Sequence, residues 1–188
     1  MAQIAFPSLA GRMLLALPGI GDPRFERSAI VICQHNAEGA LGIGVGALRP
    51  GLGLHEVLRE LDLDPGLAAD APVHEGGPVE PARGFILHSA DWAGEATLPV
   101  SDRFALSISF DVLRAIAAGQ GPERWLFALG YTGWGAGQLD GEMQRHGWQA
   151  SEAREDIVFG TPARARWAAS WRADGIDPAL LTSETGRA

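Results

Sequence analysis

Residues 28–45 read SAIVICQHNAEGALGIGV, and this stretch indicates the type of sheet. The apolar and β-branched residues 28–34 predict a buried strand. The polar residues 35–39 predict a hairpin loop. Residues 40–45 predict the returning strand, although the glycines at 42, 44 and 46 weaken that assignment. Because a short hairpin joins antiparallel strands, antiparallel pairing is expected here.

The rest of the chain alternates irregularly between strand and helix patterns. Strands are predicted at 13–17, 73–74, 85–88, 96–100, 104–108, 125–129, near Trp148, and at 157–159. Helices are predicted at 54–61, 110–118, 136–146 and from Thr161-Pro162 to about Ala173, with Ser109 as the N-cap of the second. This order is neither βαβ alternation nor all-β. The sequence therefore predicts an α+β protein with a mixed, largely antiparallel sheet, as one domain spanning residues 1–188.

Composition and charge exclude several function classes. The chain has 188 residues, 46% of them hydrophobic and 20% charged, with a net charge of −8. An acidic chain is a poor non-specific ligand for nucleic acids or anionic membranes, so direct nucleic-acid binding is not expected. All 15 positive residues are arginine. The missing lysine removes Schiff-base chemistry and the P-loop lysine.

Cys33 is the single cysteine, which rules out an internal disulfide and fits a reducing cytoplasm. No apolar segment reaches membrane-spanning length, so no membrane association is expected. Cys33 and His35 are two residues apart on a predicted strand and would share a face, as a nucleophilic pair requires. The apolar neighbours of Cys33 favour an inert, buried thiol instead.

Other polar constellations are weak. The histidines show no metal-ligand spacing, and neither a metal nor a cofactor is predicted. Glu142 and His146 lie four apart on a predicted helix, which favours an ion pair or hydrogen bond over a ligand pair. The glycines at 42, 44 and 46 favour close packing over a dinucleotide loop. Residues 129–137, LGYTGWGAG, lead a strand into a helix and could hold an anion, although tight packing is favoured.

Five blocks occur in a consistent order along the chain. They are GRMLLA at 11–16 with Pro18 and DPxFxxS at 22–28; HNxxGAxG at 35–42; GGPV at 76–79 with RGFILH at 83–88; SxDVL at 109–113 with Gly121-Pro122; and LGYxGWxxGQL at 129–139 with Glu142 and Trp148. Together they resemble the YqgE/AlgH family of bacterial proteins. The resemblance covers residues 9–188.

The resemblance implies one α+β domain with a bifurcated, barrel-like sheet flanked by helices. It also implies a cytosolic protein, and members are often named as transcriptional regulators, with no cofactor or reaction established by the family pattern. This chain departs from that pattern in two places. Gly46-Ala47-Leu48 stands where the family usually reads Asn-Arg-Pro, and His146 stands where it usually has Asn. A family-wide site that used those groups would be altered here.

The leading hypothesis is a non-enzymatic binding or regulatory protein that acts through a small molecule or a protein partner. The candidate ligand-binding residues lie at strand ends and glycine turns: Asp22, Arg83, His88, Asp111, Trp134, Gln138 and Glu142. Arg83 would pair with an anion and Trp134 would stack on a flat group. Asp22 and Asp111 are equally typical of turns and helix caps.

Two alternatives remain open. The first is an enzyme acting on a small anionic or phosphorylated substrate, with Glu142 or His88 as general base and Arg83 as anchor. It requires a pocket that gathers these three residues. The second is an interaction module that presents Trp167 and Trp171, four apart on one helix face, to a partner. The sequence leaves the oligomeric state open.

Overall fold

The computed structural model describes residues 7–145 and 147–181. This part of the chain contains ten strands: β1 Arg12–Ala16, β2 Ala29–Asn36, β3 Gly39–Gly44, β4 Leu48–Gly53, β5 Pro72–Glu75, β6 Val79–Ser89, β7 Thr97–Pro99, β8 Phe104–Ser107, β9 Trp125–Gly135 and β10 Trp148–Glu152. It also contains five α-helices: α1 Leu54–Glu60, α2 Phe110–Ala117, α3 Gln138–Gln144, α4 Glu155–Val158 and α5 Arg166–Ala173.

The hairpin of residues 28–45 forms as predicted. β2 and β3 pair antiparallel, and Asn36 lies opposite Gly39 at the turn. The strand order is β10-β1-β2-β3-β9-β6-β8-β7, with β4 and β5 attached beside β9. All pairs are antiparallel except β5 with β9. The predicted α+β class with a mixed, largely antiparallel sheet is confirmed.

The long strand β9 divides the sheet into two branches. One of its edges pairs with β6 between residues 125 and 131. Its other edge pairs with β5 at residues 127–129 and with β3 at residues 132–135. The branches separate where the Gly44 amide donates to the Gly76 carbonyl (2.8 Å) and the Gly76 amide donates to the Leu129 carbonyl (2.9 Å). This fork is the bifurcation that the family resemblance implies.

Apolar residues fill three clusters on the two sides of this sheet. One lies under α4 and α5 and includes Trp167 and Trp171. A second joins α1 and α2 to β6 and β9. The third packs α3 against β1 and β2 and includes Trp134 and Trp148. The α2 residues predicted to face the core, Val112, Leu113 and Ile116, are all buried.

Four elements differ from the sequence interpretation. Residues 157–159 were expected to form a strand, but 155–158 form the short helix α4. The strand β4 was not predicted, since its sequence LRPGLG has little β character. β6 begins at Val79, ahead of the predicted start, with a register irregularity before Gly84. β9 continues to Gly135, because Gly133 and Gly135 pair with β3 instead of turning.

Candidate functional site

A groove of about 640 Å³ lies between α1 and α2. Strands β6 and β9 form its floor. Its apolar lining consists of Leu52, Val57, Leu61, Ile86, Ile108, Phe110, Leu113, Phe127 and Leu129. Gly84 keeps the floor open, because a Cβ there would lie 2.9 Å from Cζ of Phe127. The volume and the apolar lining are typical of small-molecule sites.

Three large apolar side chains at the groove are exposed to solvent. Phe110 is 49% exposed, Ile108 42% and Leu61 38%. Phe110 is the first residue of α2 and lies outside the core-facing set Val112, Leu113 and Ile116. Single exposed apolar residues are ordinary, but three around one apolar groove mark a surface suited to binding.

Two arginines border the groove near Pro81. The Arg49 guanidinium donates to the Pro81 carbonyl (2.9 Å) and pairs with Glu75 at 2.7 Å. Arg83 pairs with Glu80 at 3.1 Å. Glu75 and Glu80 are not among the groove-lining residues, and Glu60 is the one carboxylate that is. Two guanidinium groups therefore lie at the Pro81 end of the groove, each beside its ion-pair partner, and we call this the arginine end.

Three of the seven predicted site residues come together around one carboxylate. Glu142 Oε2 accepts hydrogen bonds from the indole N–H of Trp134 and of Trp148, each at 2.9 Å. The Gln138 amide donates to Glu142 Oε1 (3.0 Å). Gln138 Oε1 also accepts from the Gly135 amide (3.0 Å). These groups satisfy one another and fasten α3 to β9 and β10, so Trp134 is not free to stack on a ligand.

Two further predicted residues are occupied as turn and cap groups. Asp22 accepts from the backbone N–H of Arg24 (3.0 Å) and pairs with its guanidinium (2.7 Å). The side-chain hydrogen bond from Arg24 lowers the pKa of Asp22. Asp111 accepts hydrogen bonds from the Ser109 hydroxyl and from the Val112 amide. Both side chains therefore bind nearby backbone or side-chain groups, as is typical of turn and helix-cap residues and as was considered for them from the sequence.

His88 is fully buried and does not reach the groove. Its ring contacts the Ser107 hydroxyl (2.9 Å) and the Ser89 carbonyl (2.8 Å). Burial lowers the pKa of His88 and favours the neutral ring. The groove that includes Arg83 includes neither His88 nor Glu142. The acid–base arrangement of the enzyme alternative is therefore not formed, and the seven residues do not share one site.

The Cys33–His35 pair is separated by a β-bulge. The β2–β3 register shifts between Ile32 and Gln34, so residues 33 and 35 no longer share a face. Cys33 lies in the cluster under α5. His35 instead accepts from the Leu9 amide (3.1 Å) and approaches Asp140 (3.7 Å). Burial raises the pKa of Cys33 to about 12, as expected for an inert thiol.

The tryptophan-presenting alternative is wrong. Trp167 and Trp171 are both buried in the cluster under α5. The Trp167 indole donates to the Ala16 carbonyl (3.0 Å), and the two rings pack edge to face. Neither indole is available to a partner.

The glycine patterns serve close packing. A Cβ at Gly42 would lie 2.5 Å from Cγ2 of Ile30, and one at Gly44 would lie 2.6 Å from the Glu75 carbonyl oxygen. β9 extends to Gly135, so only residues 136–137 of the run form the turn into α3, and the Gly135 amide already donates to Gln138 Oε1. The glycine-rich loop that an anion site at 129–137 would need is therefore not formed. Of the Glu142–His146 pair, His146 lies outside the described residues.

Within residues 7–145 and 147–181, no three His, Cys, Asp or Glu side chains are grouped to hold a metal ion. In the same ranges, no helix combines the length and apolar character needed to cross a membrane.

Known proteins place the chain in a family. A family model described as AlgH-like matches residues 13–179. The chain belongs to the AlgH-like family. It is 57% identical to a UPF0301 protein of Novosphingobium aromaticivorans over 180 residues, covering 96% of this chain and 97% of the relative. It is 56% identical to a UPF0301 protein of Rhizorhabdus wittichii, with coverages of 96% and 97%. The family resemblance of the five blocks is thereby confirmed.

Solved structures of two proteins have the same fold. The solution structure of the AlgH protein from Pseudomonas aeruginosa is similar with a TM-score of 0.80, at 38% identity and full coverage of both chains. The crystal structure of protein DIP2367 from Corynebacterium diphtheriae has a TM-score of 0.73 at 19% identity, covering 96% of this chain and 92% of that one. The second likeness concerns the fold alone.

Sequence reasoning named Arg83 but missed the groove around it. Arg49 follows the Gly46-Ala47-Leu48 departure, and Leu61, Ile108 and Phe110 were interpreted as element ends. The sequence signal for the groove was Phe110, an aromatic residue that directly follows Ser109 and does not belong to the apolar face of α2.

Proposed function

We propose that this AlgH-like protein is a binding protein for an amphiphilic anion, a molecule with an apolar body and one carboxylate end. The observation that carries the proposal is the groove between α1 and α2, which has a largely apolar lining and two arginines at its Pro81 end. The apolar body would cover Phe110 and Ile108, and the carboxylate would face Arg49 and Arg83.

Charge and shape support this ligand class. A groove of about 640 Å³ suits a medium-chain or aromatic carboxylate. Each guanidinium has five N–H donors in a planar fork, so Arg83 could keep Glu80 and still receive a carboxylate. Burying apolar surface contributes about 25 cal/mol per Å², which makes the chain of the ligand the main source of affinity.

A protein of this kind would influence regulation through its ligand or a protein partner. The net charge of −8 supports an indirect route over phosphate contacts with DNA. The proposal thus keeps the binding hypothesis of the sequence and replaces its scattered site with the groove.

Calorimetric titration with decanoate tests the proposal. We expect saturable binding of decanoate below its micelle concentration, and weaker binding of butyrate, which has less apolar surface. Ala82 is exposed and lines the groove, whereas Ala136 is exposed and does not. Ala82→Trp should therefore reduce decanoate affinity, and Ala136→Trp should leave it unchanged.

The arginine end of the groove is tested separately. Arg83→Gln should weaken decanoate by about tenfold, since the loss of one charge-assisted hydrogen bond corresponds to about 1.4 kcal/mol. Arg114→Gln, an exposed arginine of α2 that does not line the groove, is the matched control. Equal affinities in all four variants, or no binding of decanoate, would overturn the proposal.

A further inference from the structure

A second pocket, of about 540 Å³, lies at the fork of the sheet. Its walls are the backbone of Gly44, Gly46 and Gly76-Gly77, the turn before β2, and Arg164 ahead of α5. It shares no lining residue with the groove between α1 and α2. We call it the fork pocket.

Arginine side chains dominate the charged lining of the fork pocket. Arg24, Arg27 and Arg164 all border it. Among the described residues, Arg27 and Arg164 have no carboxylate within ion-pair distance, whereas Arg24 is paired with Asp22. Two arginines on separate segments therefore border one cavity without an ion-pair partner among the described residues.

The pocket is lined by fewer carboxylates than arginines. Glu26 and Glu75 line it. Glu75, on β5, already forms an ion pair at 2.7 Å with Arg49, on β4. Glu26 is exposed to solvent and forms no ion pair among the described residues.

A third unpaired guanidinium lies behind the pocket wall. Arg166 is 6% exposed, and no carboxylate of the described residues pairs with it. It donates to the Val45 carbonyl (2.8 Å) and to Nε2 of His74 (2.7 Å). Val45 lies between Gly44 and Gly46, two wall residues of the pocket. The interior therefore adds positive charge beneath the site, where screening by water is weak.

Neutral donors and a held side chain complete the site. The hydroxyls of Ser28 and Thr132 border the pocket and have no hydrogen-bond partner among the described residues. The Arg27 guanidinium stacks on the Trp167 ring, with Cζ 5.8 Å from the ring centre. Arg27 also has a positive φ of 53°, which costs conformational energy in a non-glycine residue. Because stacking already restricts the Arg27 side chain, that side chain would lose less conformational entropy when a ligand binds.

We propose that the fork pocket binds a phosphate monoester. A phosphoryl group has three acceptor oxygens and close to two negative charges at neutral pH, and it can receive donors from several directions. Guanidinium groups from two segments and two hydroxyls supply such a set, which a planar carboxylate would use only in part. Phe25, which is half-buried, and Pro78, which is exposed, provide apolar surface for the body of the ester.

Calorimetry with phenyl phosphate, inorganic phosphate and benzoate tests this inference. We expect phenyl phosphate to bind at least about tenfold more tightly than benzoate, and to weaken below pH 6, where the phosphoryl group gains a proton. If inorganic phosphate binds as tightly as phenyl phosphate, the site is one for the free ion and the assignment to an ester is overturned. Benzoate binding that equals that of phenyl phosphate and is weakened equally by Arg164→Gln would overturn the phosphate class, because binding of benzoate in the groove would not respond to that variant.

Variants locate the binding. Arg164→Gln and Arg27→Gln should each weaken phenyl phosphate by about tenfold. Arg172→Gln removes an exposed arginine of α5 outside the pocket and should have no effect. Ala47→Trp, which fills the exposed edge of the pocket, should abolish binding without touching an arginine. Equal affinity in the Arg164 and Arg172 variants would contradict the site, and decanoate binding in the groove would be unaffected by either result.

Discussion

Glu142 shows why a site predicted from residue types alone is not formed as one site in the structure. Its carboxylate takes two indole N–H groups and an amide, so the residues chosen for outward chemistry are turned toward each other. Trp134, Gln138 and Glu142 were predicted in one set with four residues that lie elsewhere. Sequence could not show that Trp148, from the next strand, supplies the remaining donor.

His74 and Arg166 form a buried pair whose protonation can be read from donor chemistry. A guanidinium only donates, so His74 Nε2 must accept from it and Nδ1 must carry the proton, which it donates to the Phe127 carbonyl (3.2 Å). Burial, with the charge of Arg166, lowers the pKa of His74 to about 4. The folded protein therefore holds His74 neutral.

We predict that stability falls as the pH drops below about 6.5, the ordinary pKa of histidine. The unfolded chain binds a proton at His74 before the folded chain does, so unfolding is favoured between pH 6.5 and the folded pKa of about 4. At pH 5 the loss from His74 is roughly 2 kcal/mol, at 1.36 kcal/mol per unit. His88, whose pKa burial also lowers, acts in the same direction.

Urea unfolding at pH 7.5 and pH 5.0 checks this expectation. His74→Gln keeps an acceptor for Arg166 and a donor for Phe127 without titrating, so its loss of stability between the two pH values should be smaller than that of the parent protein. An identical loss in both proteins would show that His74 is not responsible.

At the scale of elements, β9 is the strand that determines the architecture. It pairs with β6 along one edge and is shared by β5 and β3 along the other. The fork needs glycine where the backbones approach: a Cβ at Gly76 would lie 2.1 Å from the Gly130 carbonyl oxygen. No side-chain rotation relieves such a contact, because the backbone fixes the positions of both the Cβ and the carbonyl oxygen.

Gly76→Ala should therefore destabilise the fold by at least about 3 kcal/mol, the range of severe backbone and packing defects. Gly135→Ala is the matched control on β9, since a Cβ there meets only Gln138 Oε1 at 3.9 Å. The control should change stability by no more than about 0.5 kcal/mol. Thermal unfolding of both variants measures the difference. Similar melting temperatures for the two would mean that the fork tolerates side chains.

Element prediction succeeded where the periodicity was strong and failed where packing decides. The apolar hairpin at 28–45 and the amphipathic α2 were correct. The glycines of 129–137 were interpreted as a turn, whereas Gly133 and Gly135 are strand residues paired with β3. The single extra residue at Cys33 moved His35 to the other face, and no local pattern marks a bulge of that kind.

Across the whole molecule, the two proposed sites occupy different parts of the forked sheet. The groove lies over β6 and β9 beside α1 and α2, and the fork pocket lies where β3 and β5 diverge. The Arg49–Glu75 ion pair stands between them, with Arg49 on the groove and Glu75 on the fork pocket. The α+β class could be predicted from the chain, but these cavities could not, since each is assembled from segments far apart in sequence.

Backbone amide chemical-shift mapping of the full chain during titration with decanoate tests whether the ligand occupies the groove. We predict that the largest shifts occur at Leu61, Gly84, Ile108 and Phe110, around the groove between α1 and α2. Shifts that are absent, spread evenly over the sheet, or greatest around Trp134 and Glu142 would contradict this prediction.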